Sequence, residues 1–198
     1  MKLQIVVSLI LLAIVLGVAG FGVVLERRGI SARDNPSTIE AYTAGAIRRL
    51  SIPAAAKRAA NPFQATPDLL KQAREHFADH CATCHANDGS GKTEIGQNLY
   101  PKAPDMRLPQ TQNLTDGEIY YFIHNGIRLT GMPAWGDADR DPDSWKLALF
   151  IRHLPQLTRE EEEDMKRFNP TSEMDREEKR QEEQFLNGED SPKKKRNQ

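Results

Sequence analysis

The sequence predicts an all-α protein, and three observations predict it. Beyond residue 65, apolar residues recur at helical spacing behind recognisable helix caps. The stretches between those segments are rich in glycine and proline and read as loops rather than strands. At the other end of the chain lies an uncharged apolar run long enough for a membrane-spanning helix.

That run is Ile5 to Leu25, 21 residues with Ser8 as their only polar side chain. As a helix it spans roughly 31 Å at ~1.5 Å per residue, close to the hydrocarbon thickness of a bilayer. A cleaved signal peptide is the competing reading. Its apolar core is normally shorter and ends in a small-residue cleavage site, for which "VAGFG" is a poor match. The expectation is a retained anchor over residues 1–28. Charge gives an ambiguous orientation. Lys2 precedes the helix, whereas Arg27, Arg28 and Arg33 follow it, which taken alone puts the body of the chain in the cytoplasm.

Residues 29–65 contain Pro36, Pro53 and Pro62 and many alanines. "STIEAYTAGAIRRL" suits one short helix capped by Ser37 or Thr38, and the rest reads as a linker. Residues 26–65 carry 7 basic and 3 acidic side chains, which suits lipid headgroups just after a membrane segment. The whole chain has a net charge of −1, and nothing in it points to nucleic acid.

Residues 66–157 read as the folded domain. Thr66 caps a helix with Pro67 in its first turn, and Leu69, Leu70, Ala73, Phe77 and His80 or Cys81 mark its apolar face. "NLTDGEIYYFIHNGI" opens on a capping box, Thr115 with Glu118, and stops at Gly126. "DSWKLALFIRHLPQL" begins at Asp143 or Ser144 and ends before Pro155. Three short helices with long loops make a poor core unless a large flat cofactor fills it. "DADRDP" fails as a calcium loop, because Pro142 and Ala148 fall where glycine and glutamate are needed. Residues 158–198 read as a charged, largely disordered tail, with 23 charged residues among the 43 from Gln156 onward. Thr158 is a possible cap for one helix there, and Leu157, Met165 and Phe168 form its apolar side.

The chemistry lies in "CATCH". Cys81 and Cys84, the only cysteines, are followed at once by His85. Cys-x-x-Cys-His is the attachment sequence of c-type haem. Two thiols one helical turn apart each add to a vinyl group on the porphyrin edge, and the histidine that follows is turned under the iron. Zinc would need a second pair of ligands, which the sequence lacks. A redox dithiol would expect an alternating strand–helix context. Met132, in a Gly-Met-Pro loop 47 residues after His85, offers the soft thioether that raises a haem potential. Met106 and His124 are the alternative ligands.

From about Thr66 to Leu157 the chain resembles a class I c-type cytochrome domain. "HCATCH", "GSG", "YPKAPDM", "GEIYYFIHNGI", "GMPAW" and "SWKLALFIRHL" occur in that family's order. The resemblance implies a small all-α haem domain whose first and last helices cross beside one covalent haem c. It places the thioethers on Cys81 and Cys84, the proximal ligand on His85 and the distal ligand on Met132. Met106 falls where the family keeps an aliphatic core residue. A proline carbonyl, Pro101 in preference to Pro104, would accept the His85 ring proton. Tyr100, Arg107 and Trp135 would lie near the haem propionates or edge, or simply pack.

The resemblance also bears on orientation. This haem is attached outside the cytoplasm, so the domain is expected in the periplasm, single-pass on a bacterial inner membrane, against the arginine bias. The implied function is electron transfer with redox partner proteins, as a carrier or as the cytochrome subunit of a larger oxidoreductase, and not an enzyme by itself. The alternative is a haem-based gas sensor or ligand-binding module with a displaceable methionine.

Overall fold

Helices account for all the regular structure found among the described residues, which are 2–136 and 141–170 together with 177, 180–182, 184 and 186 of this computed structural model. The first, α1 (Lys2–Arg28), is 27 residues long, and its apolar side chains are unburied. Among the described residues it is the one helix long and apolar enough to cross a membrane.

After α1 come α2 (Thr38–Ser51) and α3 (Ala54–Arg58). Ser37 caps α2 by accepting from the Glu40 backbone. This region differs from the expected linker. Ile52 is only 3% exposed, and the Asn61 amide donates to the Trp145 carbonyl at 2.9 Å. α3 lies on α8 (Asp116–Asn125) at Gly117, where a Cβ would sit 2.0 Å from the Ala56 oxygen. That approach needs the missing side chain of a residue some sixty positions away.

The core is built by α4 (Pro67–His76), α8 and α9 (Pro142–His153). Thr66 caps α4 as expected, and α8 opens on the full Thr115–Glu118 capping box. α9 starts earlier than expected. Asp141 caps it by accepting from the Asp143 and Ser144 backbones, with Pro142 in the first turn, where its missing N–H costs nothing. α4 and α9 pack together with the Phe77 and Phe150 rings 5.1 Å apart, both fully buried. After α4 the chain makes one π-helical turn, Phe77–Cys81, and then α5 (Ala82–His85). Such widened turns concentrate at functional sites. This one settles the two-way reading of the helix face, with Cys81 packed against the core and His80 exposed. Two single-turn helices, α6 (Glu94–Asn98) and α7 (Pro109–Gln112), occupy the stretch read as loop.

Arg152 on α9 binds the Asp116 carboxylate at 2.8 Å and the Gln112 and Leu114 carbonyls. A 3-10 turn, Leu154–Gln156, leads from α9 into α10 (Arg159–Met165). Here the structure departs from the expected tail. α10 has its own capping box, Thr158 with Glu161, and its Met165 is fully buried. Arg74 on α4 pairs with Glu161 at 3.3 Å and Asp164 at 3.1 Å. Asn169 donates to the Ala78 carbonyl and exchanges amide contacts with Asn87. Phe168, expected on the docking side, is partly exposed instead. The reading of disorder further on falls mostly outside the described residues.

Candidate haem site

The attachment segment sits at the end of the α4–α5 rod and is gripped from behind by the loop that follows it. The Gly91 N–H donates to the His85 carbonyl at 2.8 Å, and the Thr93 hydroxyl donates to the Cys84 carbonyl at 3.1 Å. Gly96 lies so close that a Cβ there would be 2.1 Å from the Cys84 oxygen. At Gly91, with φ of +69°, a Cβ would meet the Ala103 oxygen at 2.4 Å. "GSGKTEIG" is thus a clamp on "CATCH". Its glycines were legible as loop residues, but their partners were not.

The donor set suits a covalently held haem. Cys81 and Cys84 are both free thiols. Burial, with Cys84 beside it, pushes the Cys81 thiol up to about 12, so it is uncharged at neutral pH. A redox dithiol needs the opposite shift, because the thiolate is the nucleophile. A neutral thioether fits this apolar position. Among the described residues no three His, Cys, Asp or Glu side chains converge on a common metal position, as a zinc site would require.

Burial lowers the pKa of His85 to about 4, and the Pro104 carbonyl pulls weakly the other way. The imidazole is therefore neutral, the form that binds iron. Its Nδ1 is buried without a hydrogen bond of ordinary geometry. An orphaned buried nitrogen is costly, so its retention points to a group that is bound and reoriented when the site is loaded. Of the two candidate prolines it is Pro104, not the preferred Pro101, whose carbonyl bears on the imidazole by raising its pKa. Pro101 follows a cis Tyr100–Pro101 bond, and both prolines are exposed.

Met132 sits half-buried in a loop folded back on the end of α8. The Ile127 N–H donates to its carbonyl at 3.1 Å, its own N–H donates to the Thr130 hydroxyl, and the Trp135 N–H donates to the Ile123 carbonyl. Gly126, with φ of +66°, leaves no room for a Cβ beside Pro133 and Ala134. Leu99, from the loop on the His85 side, presses on Gly131, so the two loops that bear the proximal and distal candidates touch.

The remaining candidates fall elsewhere. Met106 is 6% exposed within the core cluster. His124 stacks on Tyr120 and lies against Gly136 and Asp141. Tyr100 donates to Glu40 on α2, and this bond raises its pKa. Trp135 is 39% exposed and meets the His80 ring edge-on at 5.6 Å. Arg107 is held by Asp88 at 2.8 Å and Asp105 at 2.7 Å, bracing the loop ahead of Met106.

Residues 68–151 match the family model described as cytochrome c oxidase, cbb3-type, subunit III. Two curated relatives are similar over the same region, both named Cbb3-type cytochrome c oxidase subunit FixP. The one from Sinorhizobium medicae (strain WSM419) is 33% identical over 89 residues. The one from Rhizobium meliloti (strain 1021) is 30% identical over 93 residues. Each match covers 44% of this chain and 28% of the relative, so the likeness is to one part of a longer protein. What the frame around Cys81 to His85 accommodates and what the segment resembles agree: residues 68–151 are a class I c-type cytochrome domain, with haem c as its covalently attached cofactor.

Proposed function

We propose that this chain is a membrane-anchored electron-transfer subunit of a cbb3-type respiratory oxidase, with its haem domain in the periplasm. The observation that carries the reading is the match to cbb3-type subunit III over residues 68–151, the segment that contains both "CATCH" and "GMPAW". The subunit does no bond chemistry of its own. The haem supplies a one-electron ferric–ferrous couple.

The chain's residues set that couple. Cys81 and Cys84 would hold the haem through thioethers. His85, kept neutral by burial, would supply the nitrogen ligand to the iron, and Met132 would supply the sulfur. A thioether ligand stabilises ferrous iron and raises the potential. The Gly91–Gly96 clamp and the Pro104 carbonyl orient His85. Tyr100 and Trp135 lie at the rim, where a redox partner docks over a small surface. Residues from about Ile52 to Asn169 form the haem domain in this reading, and α1 is retained as the single anchor.

Native gels of solubilised bacterial membranes, stained for haem, test the assignment. The expected result is a haem-positive band of this chain that comigrates with oxidase activity, and slower oxygen consumption when the chain is deleted. A haem band that always migrates alone, with oxygen consumption unaffected, overturns it. Carbon monoxide separates the ligand-binding alternative. Rapid binding by the untouched ferrous protein would favour a sensor over a carrier.

A further inference from the structure

We propose that α2 is an interfacial helix that lies on the surface of the anionic bilayer and fixes the attitude of the haem domain above the membrane. The inference rests on the membrane-anchoring reading of α1.

Three observations converge on it. First, α2 carries an unpartnered apolar stripe. Ile39, Tyr42, Ile47 and Leu50 are 66% to 83% exposed. They stand at i, i+3, i+8 and i+11, the spacing of one helix face. A soluble surface would bury or dilute such a stripe. Second, the helix is held to the haem domain through other side chains. Glu40 accepts from the Tyr100 hydroxyl, and the Arg48 guanidinium lies 6.0 Å from the centre of the Phe122 ring. The domain therefore takes one side of α2 and leaves the apolar side outward. Third, position and charge select the occupant. Nine residues, 29–37, separate α1 from α2, a reach of at most about 30 Å, so α2 cannot travel far from the point where the chain leaves the bilayer. Residues 26–65 carry 7 basic against 3 acidic side chains. Basic residues flanking an apolar stripe suit anionic headgroups above acyl chains. An apolar surface with this charge and leash fits lipid better than a water-soluble partner.

The test uses the haem-loaded full-length chain reconstituted in liposomes of phosphatidylethanolamine and phosphatidylglycerol. Single cysteines are added at Ile39, Tyr42 or Leu50, at Ala41 or Ala44 toward the other side of α2, and at Leu16 in α1. Each carries a nitroxide, and its accessibility to oxygen is compared with that to a water-soluble nickel chelate. The expected pattern is oxygen-accessible labels at 39, 42 and 50 and nickel-accessible labels at 41 and 44. Placing Ile39→Glu and Leu50→Glu together should release the label at 42 into water, and replacing phosphatidylglycerol by phosphatidylcholine should make immersion shallower.

Labels at 39, 42 and 50 that are as nickel-accessible as those at 41 and 44, while Leu16 stays immersed, overturn the interfacial helix and leave the anchor standing. Those same labels shielded only in native membranes holding the oxidase would assign the stripe to a protein partner instead. A nickel-accessible label at Leu16 removes the anchor and this inference with it. Immersion equal in neutral lipid would overturn the part given to the basic residues.

Discussion

At the scale of single residues, the proposed site separates groups that would touch the cofactor from groups that hold others in place. With Met132 as the proposed distal ligand, Met132→Ala should lower the reduction potential and open the ferrous iron to carbon monoxide, because it would remove the soft ligand; redox titration and a carbon monoxide difference spectrum read both. Met106→Ala should instead leave the spectrum alone and cost about 2–5 kcal/mol in denaturant unfolding, as an emptied core position does. If Met106→Ala opens the iron, the two methionines have been assigned the wrong way round. Ala86, immediately after His85, has φ of 61° and ψ of 160°, a conformation essentially reserved for glycine. Strain of this kind costs on the order of 1–3 kcal/mol, part of which glycine gives back in chain entropy. Ala86→Gly should therefore raise the melting temperature by a few degrees without altering the haem bands. The haem c cofactor was legible because its covalent attachment dictates a local sequence, Cys81 to His85. Pro104 was harder to pick out. Two prolines three positions apart offer the same carbonyl, and only the path of the loop decides between them.

Elements were legible where a cap and an apolar period fall within one short window. α4 and α8 meet that condition. α6 and α7 are single turns, too short to display a period, and α9 begins earlier than expected because Asp141 reaches across Pro142 to cap it. α10 announced itself through Thr158, but its docking did not, since Arg74 and Ala78 lie some ninety residues away in sequence. Removing residues 159–198 should thus lower the melting temperature of the haem domain, and Met165→Ala alone should account for much of the loss, on the order of 10 °C for a domain this size. Scanning calorimetry of the two variants would show it. The attachment of α10 also responds to acid. Burial pushes the Glu161 carboxyl up, yet hydrogen bonds from Thr158 and His153 outweigh it and hold its pKa below the ordinary value. A carboxylate depressed in this way contributes fully above its unfolded pKa, and the contribution disappears as pH falls through the folded value. Glu161→Gln should flatten that limb of the stability profile, measured by urea unfolding at successive pH values. An unchanged slope would mean that another carboxylate controls it.

For the whole molecule, the all-α class and the division into apolar helix and haem domain could be read from composition and motif. The edges of the domain could not, because both are made by contacts distant in sequence: Ile52 to Asn61 on one side, and Met165 with Asn169 on the other. In membranes washed with carbonate the full chain should stay in the pellet, and haem staining of the fractions reads this directly. Recovery of all the haem in the wash would defeat a retained anchor. The early start of the domain has a kinetic meaning. A free linker over residues 29–65 would let the haem roam to about 125 Å from its anchor at ~3.4 Å per residue. With α2 held to the domain by Tyr100 and Phe122 and Ile52 already packed, only the nine residues 29–37 remain, a reach of roughly 30 Å. The volume swept shrinks by nearly two orders of magnitude, and the effective concentration of the haem at a fixed acceptor in the same bilayer would rise accordingly. A short leash thus favours repeated delivery to one neighbour over visits to many.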